Sequence, residues 1–114
     1  MNLKRDAFLI LSIILAFPNY SNSYDIYKIM GWKFGVINPS HIILELITKK
    51  MLKRNELDVN FVYEITDLGK NNVNEYFKIN EIEIYEEFKK EEFLNIFFNK
   101  LKEILKPDGS DMST

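Results

Sequence analysis

Residues 4–17 are apolar almost all round, a pattern that in a soluble chain belongs to a helix at the centre of the core. Pro18 ends that run, because the residue before a proline avoids the helical region. After PNYSNS, Ser23 is placed to cap a second helix over 24–30, with Asp25 at the positive end of its dipole and Ile26, Tyr27 and Met30 turned inward, Tyr24 being a further candidate for that face. Gly31 is expected to stop it, leaving Trp32, Phe34 and Val36 in a tight connection. Asn38-Pro39 opens a third helix over 39–51, with Asn in the capping position and Pro at the first helical one. Its spacing buries Ile43, Leu46 and Ile47 and shows His41, Glu45, Thr48 and Lys49 on another face. Two short strands follow at 52–56 and 61–65, joined by Leu57-Asp58-Val59-Asn60, a hairpin-length link. Tyr63 and Ile65 share the inward face of the second strand, Thr66 supplies a capping hydroxyl to a fourth helix, and Leu68 is expected to reach the core. After a break near Asn80, one long helix is predicted over 82–105, and residues 107–114 read as a loose tail.

A length of 114 residues suits one small core. The apolar share of 46% and charged share of 28% are those of a globular chain. The formal charge of -2 argues against a protein that coats nucleic acid all over, but the charge is unevenly placed. Between residues 28 and 54 stand Lys28, Lys33, Lys49, Lys50, Lys53 and Arg54 against Glu45 alone, whereas between residues 75 and 92 seven glutamates outnumber three lysines. Such a domain can present one positive side to phosphates. The absence of cysteine removes disulfides and thiolate chemistry and fits a cytoplasmic location. MNLKRDAFLILSIILAFPNYSNS imitates a secretory leader, yet Asp6 at the edge of the apolar run and the crowding of Asn and Tyr at the presumed cut favour a core helix; the run is too short to span a membrane.

Three helices followed by a hairpin is the layout of a winged helix-turn-helix, an α+β, mostly helical class with a two-stranded wing. Specific runs strengthen this. AFLILSIILAFPNYSNSYDIYKIM resembles the first two helices of PadR-like regulators, HIILELITKKMLKRNE their third helix and first wing strand, and VYEITDLGK the tyrosine-bearing wing strand followed by Leu-Thr-x-x-Gly in PadR-like and MarR-related proteins. The resemblance covers roughly residues 4–75. It implies a winged-helix domain over 1–79, a C-terminal dimerisation helix over 80–106 and a flexible tail over 107–114. It further implies a homodimeric transcriptional regulator on double-stranded DNA, with Ser40, His41, Thr48 and Lys49 near the groove, Lys50, Lys53 and Arg54 on phosphate, and Asn60 at the wing tip. The wing tip departs from the family in carrying Asp58 and Asn60 rather than arginines.

The final amphipathic segment is broadly apolar, and Phe88, Phe93, Phe97, Leu101 and Ile104 are the expected dimer contacts. The competing expectation is that it folds back onto the first helix. His41 is the only histidine, so no histidine-based metal cluster or triad can form, and there is no glycine-rich phosphate loop or nucleophile motif. An enzyme, a cofactor and a metal site are not expected. The alternative function is a winged-helix interaction module that holds a protein partner and does not bind DNA.

Overall fold

Helix α1 (Arg5–Ala16) sits at the centre of a computed structural model that describes residues 3–55 and 61–105. Phe8 through Ile14 and Ala16 are all buried, as an all-round apolar helix requires. Around it stand α2 (Ser23–Phe34), α3 (Ser40–Thr48), the strands β1 (Leu52–Asn55) and β2 (Val62–Ile65), α4 (Asp67–Phe88) and α5 (Glu92–Ile104). The architecture is mostly helical α+β, with one antiparallel strand pair whose register sets Leu52 opposite Ile65 and Arg54 opposite Tyr63. The linker between α1 and α2 lies along the outer edge of β2: Ser23 N–H donates to Phe61 O at 3.0 Å and Tyr63 N–H to Ser21 O at 2.9 Å. That covers an edge which would otherwise leave unpaired backbone groups.

Several boundaries differ from the sequence-based expectation for local reasons. Asn22 rather than Ser23 caps α2, its Oδ1 accepting from Asp25 N–H at 2.9 Å. The helix then runs through Gly31 to Phe34, because the left-handed residue that ends it is Gly35, at φ 72°. Trp32 and Phe34 are therefore helical, with Trp32 on the surface. Pro39 precedes α3 instead of opening it, and its carbonyl accepts from both Ile42 and Ile43 at 3.0 Å. α3 stops at Thr48 because Lys50 turns left-handed, at φ 64°. Met51 N–H then donates back to Leu46 O at 2.9 Å and Lys50 N–H to Ile47 O at 3.0 Å, the paired closure of a helix end that usually uses glycine.

The start of α4 explains the abrupt end of β2. Thr66 Oγ1 accepts from Gly69 N–H at 3.1 Å and donates to Lys50 O at 2.7 Å, while Thr66 N–H donates to Met51 O at 3.0 Å. One threonine thus caps α4 and ties it to the α3–β1 junction. Gly69 completes the joint: a Cβ there would lie 2.4 Å from Met51 O and 2.8 Å from the Ile65 side chain. Leu68, expected in the core, is exposed, because the buried position of this first turn is Gly69.

The last third departs most. Asn80 does break helical geometry, at φ -110° and ψ 16°, but the chain continues as a kinked α4 to Phe88 and only then reverses. The expected single helix over 82–105 is two pieces, because Glu91 caps α5 through its carboxylate, which accepts from Phe93 N–H at 3.0 Å. Phe88 and Phe97 show why a reversal is needed: nine residues apart in a straight helix they would be about 13 Å apart along the axis, yet their rings stack at 5.8 Å. α5 packs on α1 and α4, so residues 80–105 belong to the same core as the rest. This corrects most of the expected dimer face. Phe88, Phe97 and Leu101 are each at most 1% exposed, sealed inside their own chain. Phe93 is half-buried against Phe17, and Ile104 alone of the five is exposed.

Candidate functional site

α3 is held from behind by Ile43 and Leu46, both 2% exposed, and its outward stripe is His41, Leu44, Glu45 and Thr48. The stripe divides two environments. On one side His41, Glu45 and Lys49 border a cleft with Lys4, Arg5 and Asp6 from the start of α1. Lys49 Nζ pairs with Glu45 Oε2 at 3.1 Å, and this lysine holds the Glu45 carboxyl below the usual carboxylate range, Lys4 and His41 adding to the effect.

On the other side lies a groove of about 490 Å³ between α2, α3 and the hairpin. Its walls include Tyr24 and Tyr27 from α2, Ser40, Leu44 and Ile47 from α3, and Phe61, Tyr63 and Arg54 from the hairpin. Arg54 is held over the Phe61 ring at 4.5 Å, and Lys28 Nζ lies 5.8 Å from the Tyr24 ring centre. Burial pushes the Tyr63 hydroxyl above its ordinary value, against the opposing pull of Arg54. Tyr24 and Leu44 are 63% and 55% exposed, so the groove opens to solvent.

The expected DNA-contacting residues distribute unevenly over this face. Ser40 lines the groove, its hydroxyl donating to Asn38 Oδ1 at 2.9 Å. His41 and Lys49 lie toward α1, and Thr48 is exposed on the last turn of α3. Lys50 occupies the left-handed corner, with its carbonyl clamped by Thr66. Lys53 is exposed on β1 opposite Glu64, and Arg54 faces the groove. Asn60, with Asp58, lies outside the described residues, as does the tail from residue 106. The groove aromatics were not anticipated as a site. The available signal was Leu44, an apolar residue off the Ile43–Leu46–Ile47 stripe that α3 needs for burial.

No match was found for the chain among family models, curated proteins or solved structures, so the likeness to PadR-like proteins stands on the quoted motifs alone. Among the described residues no helix is long and apolar enough to cross a membrane.

Proposed function

We propose that this chain is a winged-helix domain that binds double-stranded DNA, with α3 toward the major groove and the hairpin beside it. The helix–helix–helix–hairpin order, and the α1–α2 linker laid along β2, fit that layout. The observation that carries DNA binding is the α3–β1 junction. Lys49, Lys50, Lys53 and Arg54 are concentrated there, and Lys50 holds a backbone conformation that costs a non-glycine residue about 1 kcal/mol or more. A lysine kept where glycine would relieve strain is accounted for by a use for its charge. Phe88, Phe97 and Leu101 are spent on the chain's own core, so a homodimer through α5 forms no part of this proposal.

Fluorescence anisotropy with labelled duplex DNA tests it at two salt concentrations. Affinity is expected to fall as salt rises, and Lys50→Gly to keep or raise folded stability while lowering the salt slope by about one phosphate contact. No binding at low salt, or a salt-independent affinity, overturns it. One feature favours a second reading, in which the same face holds a protein: among the described residues the groove carries one charged side chain, Arg54, and is otherwise apolar, aromatic or hydroxyl-bearing. Tyrosine and arginine are enriched, and lysine and glutamate depleted, at protein interfaces.

A further inference from the structure

We infer that the outward face of α4 is a self-association surface, on which a second copy of this chain docks antiparallel about a two-fold axis through Ile82. The inference goes beyond the DNA reading and does not rest on it. It starts from two side chains with no local reason to face water. Ile79 and Ile82 are 74% and 79% exposed, and among the described residues only Ile37, in the connection before α3, is a more exposed large hydrophobic. A β-branched residue lowers helix propensity, so the helix itself gains nothing from isoleucine at either position. The inward positions of the same stretch, Phe77, Ile84 and Phe88, are packed in the core. Ile79 and Ile82 therefore lie on the side of α4 turned away from it, one before and one after the bend at Asn80. Tyr85, 44% exposed, follows one turn beyond Ile82.

Charge identifies the occupant. Glu75 and Lys78 precede the isoleucines, Glu86 and Lys89 follow them, and all four are exposed. Lys89 Nζ pairs with Glu86 Oε1 at 2.8 Å, whereas Glu75 and Lys78 form no ion pair among the described residues. Along the helix, Lys78 and Glu86 lie four residues to either side of Ile82, Glu75 and Lys89 seven, and Ile79 and Tyr85 three. A two-fold axis makes contacts reciprocal. Placed across Ile82, it sets Lys78 against the second copy's Glu86, Glu75 against its Lys89, Ile79 against its Tyr85, and Ile82 on its own counterpart. Other arrangements lose this match. Parallel pairing brings each charge beside its own copy, and an antiparallel pair centred on Ile79 sets Glu75 against Glu83, so that like charges repel. A foreign partner would have to carry both signs and an apolar centre in this spacing; the chain itself already does.

Sedimentation velocity of the full chain over a concentration series tests the inference. A reversible monomer–dimer equilibrium is expected, weakened about tenfold or more by Ile82→Glu. Ile82 is mostly exposed, so at concentrations where wild type is monomeric the variant should keep its circular dichroism and melting temperature, and Ile79→Ser is the second variant should Ile82→Glu fail to fold. Charge exchange tests the register. Lys78→Glu and Glu86→Lys should each weaken the dimer, and the double exchange should restore it, because it only reverses the sign within each cross-chain pair. A monomer at every concentration, a dimer indifferent to Ile82→Glu, or a double exchange no stronger than its singles overturns the inference. Duplex binding measured in parallel separates the two proposals. Duplex binding without self-association sinks the α4 face and leaves DNA binding standing; self-association without duplex binding does the reverse.

Discussion

Two groups of aromatic side chains in this molecule have opposite fates. Under α5, Phe17, Phe34, Phe88 and Phe97 form a ring cluster in which Phe17 and Phe34 lie 5.5 and 6.4 Å from Phe97. Phe88 and Phe97 at its heart are sealed from water. Across the domain, Tyr24, Tyr27, Phe61 and Tyr63 line a groove that stays open. The sealed group is entirely phenylalanine, which has no polar atom to satisfy. The groove group is mostly tyrosine, from the exposed Tyr24 through the half-buried Tyr27 to Tyr63, whose ring is itself part of the core; a tyrosine hydroxyl needs water or a partner, and an exposed ring such as that of Tyr24 still offers apolar area. A sealed ring such as Phe97 stabilises the chain that carries it; an exposed one such as Tyr24 is available to another molecule.

That contrast is broken most directly by paired truncations. Phe97→Ala is expected to cost about 3–5 kcal/mol in urea unfolding, as removal of a core phenylalanine does, whereas Leu44→Ser at the groove should stay within about 0.5 kcal/mol of wild type. Equal losses would mean that α5 is not docked or that the groove is closed. The joint between the two regions is sharpened by Gly69→Ala. In an ordinary helix this change stabilises by about 0.5–1 kcal/mol, but here the added methyl meets the Met51 carbonyl at 2.4 Å, so a loss of about 1–3 kcal/mol is expected. A gain in the unfolding midpoint would show that the α4 start is not pressed on the α3–β1 junction.

The smallest effect lies at the turn that makes the fold-back possible. The Phe93 amide holds the Glu91 carboxyl below its ordinary value of 4.5, and Lys33, 3.2 Å away, helps. A group whose folded value is depressed stabilises above its unfolded value, and that contribution is lost as pH falls through the folded value. Wild type should therefore exceed Glu91→Gln in stability at neutral pH, and the difference should shrink as pH drops below 4.5. A pH-independent difference would assign the effect to packing rather than to the charge.

Local patterns carried a good deal of this structure. The all-round apolar run of α1 and the paired strands around the hairpin follow from periodicity and turn chemistry, and Thr66 acts as the cap its position suggested. Errors gathered where one local signal had two outcomes. Gly31 and Gly35 are both glycines near a helix end, and only the backbone's need for a positive φ distinguishes them. Lys50 has no glycine-like signature at all, so the end of α3 was misplaced by three residues. The candidate site was half legible: its lysines stand out as a local charge excess, but the tyrosine groove draws on residues from 23 to 63 that no single window brings together.

The amino-acid order alone determined which segments are helical or extended, where positive charge accumulates and that a long apolar stretch near the C-terminus must be buried, because these depend on side chains a few residues apart. What only the tertiary structure decided is where that stretch is buried and which aromatics remain open. Reversal at Lys89–Glu91 packs α5 into its own core, and the same packing leaves Tyr24 and Leu44 facing water. An amphipathic stripe specifies that it needs an apolar partner, and its sequence does not encode which surface that partner is; the choice belongs to the competition among all apolar faces the folded chain can bring together.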